Sequence, residues 1–269
     1  MGMGSQLRSE SGPTFVVKIG GALLGDADAL AALWPSARMN YHARWVFVHG
    51  GGPQSTEMAR RLGHEPRMVA GRRVTTDLDL DISLWTLNGS LNARLVASAQ
   101  AAGLRAVGIS AADGGTVVVE KRAPREIDGE LVDFGHVGDV ARADSTLLRS
   151  LQDAAFTLIV APICGDGRGN LFNVNADTVA VEIAVATGAE ELLMVAEAGA
   201  VFRDFPNPES RLASIDRETF AEGVAAGWIS DGMRPKLETA FDAHARGIAR
   251  VRICGPGDLA DQHAGTLIS

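Results

Sequence analysis

The sequence predicts an α/β fold in which helices cover both faces of a largely parallel central sheet. Short apolar runs alternate along the chain with longer stretches of helical periodicity, as expected when parallel strands are buried on both faces. The 31 glycines fall mostly where the apolar runs end, which suits a ligand site built from loops. At 269 residues, the chain is long enough for one large domain or for two lobes.

The predicted elements follow from these runs in chain order. Strands are predicted at 14–18, 44–49, 105–109, 157–162, 191–195 and 250–253. Helices are predicted at 26–37, 54–62, 78–101, 143–153, 177–187, 216–226 and 233–247. Between about 115 and 137 the pattern changes, and Asp128-Gly129 is typical of a hairpin turn, so we expect an inserted β-hairpin that covers a site. A turn is predicted at 166–170, and two lobes would divide near 165–175.

Composition argues against several classes of protein. The formal net charge is −8 and no long basic run occurs, so we expect no nucleic-acid partner. No apolar stretch reaches the roughly 18 residues of a membrane span, so we expect no membrane partner. Residues 1–12 lack the apolar centre of a signal peptide, which favours a cytoplasmic protein with a disordered tail over 1–13. Cys164 and Cys254 stand apart from other metal-ligand residues and are expected to be free thiols.

Three consecutive glycines, Gly50 to Gly52, end the apolar run at 44–49, and helical periodicity begins at Gln54. Glycines let the backbone approach a ligand closely, and the helix that follows adds unpaired N–H groups and a positive end. The turn therefore suits a phosphate or a carboxylate. A purely geometric need for glycine in a tight strand-to-helix turn remains the alternative.

Charged and polar residues follow several of the other predicted strands. Lys18 ends the first strand beside Gly20-Gly21, where it could reach a bound anion, although an ordinary surface lysine is the alternative. A Walker A motif is absent, so any nucleotide would be held differently. Alternate residues Asn173, Asn175 and Asp177 would project to one side before a helix that Asp177 could cap.

Two basic segments complete the candidate site. Lys236 falls in the first turn of a predicted helix, where a positive charge opposes the helix dipole, so a local anionic partner is a reasonable inference. Arg72 and Arg73 precede a short strand and the helix at 78–101. Arginine suits a substrate carboxylate because its planar fork makes two parallel hydrogen bonds. For either arginine alone, a solvated surface position is the alternative.

Taken together, these segments resemble the amino-acid kinase family, and within it the N-acetylglutamate kinases. The resembling segments occur in family order over roughly residues 14–269 and are Lys18-Ile19-Gly20-Gly21, His49-Gly50-Gly51-Gly52-Pro53, Arg73-Val74-Thr75, Gly135-His136-Val137-Gly138, Asn173-Val174-Asn175-Ala176-Asp177, Gly232-Met233-Arg234-Pro235-Lys236 and Gly265-Thr266-Leu267-Ile268. The Asn-Val-Asn-Ala-Asp and Gly-Met-x-Pro-Lys segments are the more specific. The resemblance implies a three-layer αβα sandwich with an eight-stranded, mainly parallel sheet.

The resemblance also implies a function, the ATP-dependent phosphorylation of the γ-carboxylate of N-acetyl-L-glutamate in arginine biosynthesis, with Mg²⁺ carried by the nucleotide. An N-lobe, 14–170, would bind the amino-acid substrate under the hairpin lid, and a C-lobe, 171–269, would bind ATP. The implied catalytic residues are Lys18, Lys236 and Asp177. The implied substrate ligands are Gly51, Gly52, Arg73 and Asn173. The implied nucleotide ligands are Gly20, Gly21, Glu197, Gly199 and Lys236.

One segment departs from the family pattern. Family members carry a Thr/Ser-Asp-Val-x-Gly-Val-type segment after the strand at 191–195, and its aspartate helps to bind nucleotide. Here Ala196 takes that position and Glu197 follows it. Two alternatives therefore stay open: a kinase of carrier-protein-linked aminoadipate or glutamate in lysine biosynthesis, and a non-catalytic binding or regulatory protein on the same fold. A dinucleotide-binding oxidoreductase is disfavoured because no Gly-x-Gly-x-x-Gly follows the first strand.

The resemblance also bears on assembly. Arginine-inhibited family members carry an extra N-terminal helix that builds a hexamer, and the segment before Thr14 is too short and too rich in glycine and serine to supply one. We therefore expect an arginine-insensitive homodimer. The long predicted helix at 78–101 is a candidate dimer surface.

Overall fold

An eight-stranded sheet forms the centre of the computed structural model, which describes residues 12–40, 42–229 and 232–269. The strands in these ranges are β1 (Thr14–Ile19), β2 (Arg44–His49), β3 (Met68–Val69), β4 (Arg72–Arg73), β5 (Ala106–Ser110), β6 (Val117–Lys121), β7 (Arg125–Ile127), β8 (Glu130–Val132), β9 (Gly138–Ala143), β10 (Thr157–Ala161), β11 (Ile163–Gly165), β12 (Leu171–Asn173), β13 (Glu191–Val195), β14 (Ser214–Ile215), β15 (Arg250–Cys254) and β16 (Thr266–Ile268). The spatial order of the central sheet is β14-β16-β15-β13-β1-β2-β10-β5. Its strands pair in parallel except for β15 with β16.

All six strands predicted from apolar runs belong to this sheet. The side chains of β1, β2, β10 and β13 are buried on both faces, which is why these runs read as continuous rather than alternating. β1 lies at the centre, between β13 and β2, with Lys18 in register with Met194 and Val48. The carboxyl ends of these three strands therefore meet at one edge of the sheet.

Helices pack on both faces of the sheet, which confirms the three-layer αβα sandwich. They are α1 (Ala27–Met39), α2 (Gly52–Arg61), α3 (Asp77–Ser83), α4 (Asn92–Ala101), α5 (Thr146–Asp153), α6 (Ala176–Thr187), α7 (Arg217–Ala226) and α8 (Arg234–Ala245). One buried cluster joins α5, α6 and α8 to Val16 of β1. A second cluster joins α1 and α4 to Val17 of the same strand, on the opposite face. Alternate β1 side chains thus pack into two separate hydrophobic cores, one on each face of the sheet.

The helix predicted at 78–101 contains a π-helical segment, Leu84–Leu91, between α3 and α4. The apolar pattern of the sequence gives no sign of it, because the residues before and after the segment each keep ordinary helical periodicity. The same stretch begins one residue earlier than predicted, and α2 begins two residues earlier, at Gly52.

The hairpin predicted within 115–137 is confirmed and forms part of a larger β structure. β7 and β8 pair around the turn at Asp128 and Gly129, both of which have positive φ. A four-stranded sheet of order β12-β11-β6-β9, absent from the sequence prediction, adjoins this hairpin. The predicted turn at 166–170 connects β11 to β12, so the proposed lobe boundary at 170 falls within that strand pair.

Cys164 and Cys254 are buried free thiols, as expected. Burial raises the pKa of both, that of Cys254 to about 12, so both stay protonated at neutral pH. Across the described ranges, no helix combines the length and the apolar character needed to cross a membrane. The predicted tail, 1–13, and the expected lack of a helix before Thr14 concern a segment of which all but Gly12 and Pro13 lies outside the described residues.

Candidate active site

A cavity of about 740 Å³ opens at the edge where the central strands end. Strand ends, the glycine turn, the start of α2 and the Asn173–Thr178 corner all contribute to its lining. Among the residues singled out in the sequence, it is lined by Lys18, Gly21, Gly50, Gly51, Gly52, Arg72, Arg73, Asn173, Asn175 and Asp177. The carboxyl edge of an α/β sheet is where such ligand sites form.

An ion pair crosses the floor of this cavity. The Lys18 Nζ lies 2.8 Å from Oδ1 of Asp177, and only 9% of the Lys18 side chain is exposed. The suggestion that Asp177 caps α6 is wrong, because Asn175 is the residue with extended backbone before the helix. The Asn175 side chain accepts a hydrogen bond from the Asp177 backbone N–H at 2.8 Å. The carboxylate of Asp177 is thereby left for Lys18.

A second lysine approaches from the start of α8. The Lys236 ammonium is half-buried and donates a hydrogen bond to the Gly232 carbonyl at 3.2 Å. Burial lowers the pKa of Lys236, and so does the positive charge of Lys18, while Asp177 and Glu197 oppose the shift. Side chains from β1, α6, α8 and the loop after β13 therefore act on one another electrostatically. Because Glu197 is exposed to solvent, Asp177 is the main carboxylate acting on the two lysines, and the two ammonium groups exceed its charge, which suits a phosphoryl group.

The glycine turn is held in place by close packing. Gly51 has φ of 151°, and a Cβ there would overlap Leu87 and Leu91 of the π-helical segment. The Gln54 side chain donates to the Gly21 carbonyl at 2.8 Å and so ties the turn after β1 to the turn after β2. α2 has no side-chain cap at Gly51, so its first N–H groups remain available to an anionic ligand.

His49, which the site prediction omitted, supports this turn from below. It is fully buried, with Nδ1 2.8 Å from the Gly50 carbonyl and Nε2 3.3 Å from Nδ2 of Asn92. Burial lowers its pKa to about 4, so the ring is neutral at pH 7. These contacts assign a donor Nδ1 and an acceptor Nε2. The sequence did indicate His49 in one respect, since it directly precedes the three glycines of the turn.

Arg73 lies on β4 itself, rather than before a strand as expected. Its side chain is only 10% exposed, and Nη2 donates to Oγ1 of Thr56 at 2.5 Å. The neighbouring Arg72 is exposed on the same strand. Thr56, together with Ser55 and Arg122, lines the cavity but was not predicted, because each reads as an ordinary helix or surface residue in the sequence.

Of the predicted nucleotide ligands only Gly21 lines this cavity, and the predicted catalytic residue Lys236 is absent from the lining. Gly199 lines a separate, shallower cavity of about 400 Å³ beside Phe202 and Arg211. Glu197 is exposed and reaches the first site only through its charge on Lys236. Gly20 follows β1, and a Cβ added there would lie 3.9 Å from the Val195 carbonyl oxygen. The described residues contain no group of three histidine, cysteine or acidic side chains able to hold a metal ion.

Known proteins are similar to this chain in sequence and in fold. The profile of the amino acid kinase family matches residues 13–255. The acetylglutamate kinase of Sorangium cellulosum is 41% identical over 261 residues, covering 93% of this chain and 90% of the relative. That of Methanopyrus kandleri is 39% identical over 225 residues, covering 84% and 88%.

The fold has solved counterparts as well. The crystal structure of smu.665 from Streptococcus mutans superposes with a TM-score of 0.76 at 23% identity, covering 95% of this chain and 98% of that one. That likeness bears on the fold alone. With the profile spanning most of the sequence, the chain belongs to the amino acid kinase family.

Proposed function

We propose that the chain transfers the γ-phosphoryl group of ATP to the γ-carboxylate of N-acetyl-L-glutamate, giving N-acetyl-L-glutamyl 5-phosphate for arginine biosynthesis. The observation that carries the proposal is the Lys18–Asp177 ion pair in the cavity, with Lys236 of α8 close enough for its pKa to respond to both charges. Curated relatives that are acetylglutamate kinases match the chain at 38–41% identity over most of its length and support this activity.

The chemistry asks the protein for alignment and positive charge. A γ-carboxylate oxygen of the substrate attacks the γ-phosphorus of ATP, a new O–P bond forms, and the bond from phosphorus to the β,γ-bridging oxygen breaks to release ADP. Lys18 and Lys236 neutralise charge on the transferring group from two sides. Asp177 holds Lys18 at 2.8 Å, and its negative charge reduces the electrostatic repulsion between the two lysines.

Substrate contacts are assigned to the glycine turn and to β4. Backbone N–H groups of Gly51 and Gly52 donate to the reacting carboxylate, while Arg73 pairs with the α-carboxylate and Asn173 contacts the same substrate. The N-lobe, 14–170, would bind this substrate under the β7–β8 hairpin. Within 115–137, Arg122 and Val137 line the cavity, which supports a lid role for that segment.

The C-lobe, 171–269, would bind ATP through Glu197, Gly199 and Lys236, together with Gly20 and Gly21 at the end of β1 in the N-lobe. Glu197 would replace the aspartate missing at Ala196, and its charge acting on Lys236 supports this. Mg²⁺ would be held mainly by the phosphates of ATP, the mode that needs few protein ligands, and when bound it neutralises phosphate charge. The chain would act in the cytoplasm as a homodimer, with the exposed Leu78 and Trp85 on the stretch 77–101 supporting a contact surface there.

A coupled ADP-release assay tests the activity. The chain is given MgATP with N-acetyl-L-glutamate, N-acetyl-L-aspartate or N-acetyl-L-aminoadipate, and hydroxylamine traps any acyl phosphate as a hydroxamate. We expect hydroxamate and ADP in equal amounts with N-acetyl-L-glutamate alone. If none of the three substrates gives ADP or hydroxamate while ATP still binds, the proposal is refuted. A carrier-linked substrate or a non-catalytic role would then be favoured.

A further inference from the structure

A buried carboxylate beside the cavity has no part in the chemistry described so far. Asp79 is the third residue of α3, and only 1% of it is exposed. An isolated buried charge is costly, so the groups that surround Asp79 indicate what it does.

The two carboxylate oxygens of Asp79 have different partners. Oδ2 accepts hydrogen bonds from the Thr76 hydroxyl at 2.6 Å and from the Thr76 backbone N–H at 3.1 Å, which completes a capping box at the start of α3. Oδ1 takes no part in the cap. It lies 3.0 Å from Nε2 of His64 and 3.5 Å from Nη1 of Arg73.

The carboxyl stays ionised in this setting. Burial alone would raise the pKa of Asp79, but the hydrogen bonds from Thr76 and His64 outweigh burial, and the pKa lies below its ordinary value. A full negative charge therefore faces the Arg73 guanidinium at neutral pH.

Arg73 is in turn held from two helices. Nη2 donates to Thr56 of α2 at 2.5 Å, and Nη1 faces Asp79 of α3. A free arginine side chain loses about 2 kcal/mol of conformational entropy when a ligand fixes it. Contacts made before the substrate binds remove much of that entropic cost. The arginine guanidinium has five N–H donors, and those not used by Thr56 and Asp79 remain free to bind a ligand in the cavity.

We infer that Asp79 is a positioning residue that sets Arg73 for the α-carboxylate of the substrate, with His64 holding the shared oxygen from the other side. The inference rests on the proposed function, because it assumes the dicarboxylate substrate. It adds a role for α3 in selecting substrates that carry a carboxylate next to the acylated nitrogen.

Steady-state kinetics with two substrates tests the inference. Asp79→Asn is compared with wild type on N-acetyl-L-glutamate and on 4-acetamidobutanoate, which keeps the reacting carboxylate but lacks the α-carboxylate. We expect KM for N-acetyl-L-glutamate to rise roughly 10-fold, the scale of one hydrogen bond to a charged group. We expect kcat, KM for MgATP, and kcat/KM for 4-acetamidobutanoate to change less than about 2-fold, below that scale.

Three further variants complete the experiment. Asp81→Asn, on the exposed side of the same helix, is the matched control and should leave all constants unchanged. In an Arg73→Met background, Asp79→Asn should have no added effect on KM. If Asp79→Asn does not fold, Asp79→Glu is used instead, since it keeps the charge but moves it by one methylene. This variant should also raise KM for N-acetyl-L-glutamate while leaving kcat/KM for 4-acetamidobutanoate unchanged.

Equal losses on both substrates, or additive effects of Asp79→Asn and Arg73→Met, would overturn the inference and leave Asp79 as a helix cap only. A wild-type enzyme that fails to turn over N-acetyl-L-glutamate would instead refute the proposed function. The two failures are thus distinguished by the wild-type assay.

Discussion

Replacing Lys18 with methionine separates catalysis from folding in the buried ion pair. Methionine keeps the apolar stem of the side chain and removes the charge that lies 2.8 Å from Asp177. Loss of one preorganised group that stabilises transition-state charge costs about 10²–10³ in kcat. We therefore expect kcat to fall by about that factor, with KM for both substrates changing far less.

The same variant should also lose stability. Removing one partner of a fully buried ion pair costs about 3–5 kcal/mol. Here the Asp177 side chain is 20% exposed and lies in the first turn of α6, where the helix dipole offsets about 0.3–1 kcal/mol of that cost. We expect the free energy of unfolding to fall by about 2–4 kcal/mol.

Urea denaturation and the ADP-release assay check both parts. The double variant Lys18→Met/Asp177→Asn removes the unpaired charge, so it should recover most of the lost stability and none of the lost activity. Lys121→Met, at an ion pair with Asp133 that is half exposed on both sides, is the control and should change neither quantity. A single variant that keeps kcat within 10-fold of wild type, or a double variant that regains activity, would refute the reasoning.

Three further predictions concern neighbouring residues. Lys236→Ala should lower kcat by about 10²–10³, because Lys236 neutralises phosphoryl charge on the side opposite Lys18. A rate constant within 10-fold of wild type in single-turnover assays would contradict this. The pKa of His49 is about 4 in the folded chain against 6.5 unfolded, so the unfolded state binds the proton first and stability falls as pH drops through this window. Urea titrations should show a loss of unfolding free energy from this residue of about 1.5 kcal/mol between pH 6.5 and 5, absent in His49→Gln. The buried Ser55 hydroxyl lines the cavity and has no hydrogen-bond partner among the described residues. Ser55→Ala should therefore change the free energy of unfolding by less than about 0.5 kcal/mol. The same variant should raise KM for N-acetyl-L-glutamate about 3- to 10-fold, because the substrate would lose a hydrogen bond. An unchanged KM would show that the substrate does not use this hydroxyl.

The sequence was most informative where burial is complete. The central strands were predicted closely because both of their faces are apolar, whereas β14 and β16, with two and three residues, are too short to give a pattern. The four-stranded sheet beside the hairpin was missed because its strands combine residues far apart in the chain.

Residue types at the site were predictable, but their individual contacts were not. Asn175 and Asp177 are both good capping residues, and only the observed helix start decides between them. Asp79 belongs to a Thr-x-x-Asp pattern that reads as a local cap. Its second role depends on β4 folding back beside α3, which no local pattern specifies.

The π-helical segment at Leu84–Leu91 gives the long helix two independent faces. An α-helix turns by about 100° per residue, so a segment that holds an added residue rotates everything after it relative to everything before it. With this rotation, α3 presents Asp79 to Arg73, while α4 presents Asn92 to His49. Deleting one residue, such as Gly89, would restore ordinary helical hydrogen bonding but swing Asn92 away from the histidine beneath the glycine turn. The length of this helix is therefore tied to the site it supports, and insertions or deletions there would displace Asn92 from His49 even where the fold tolerates them.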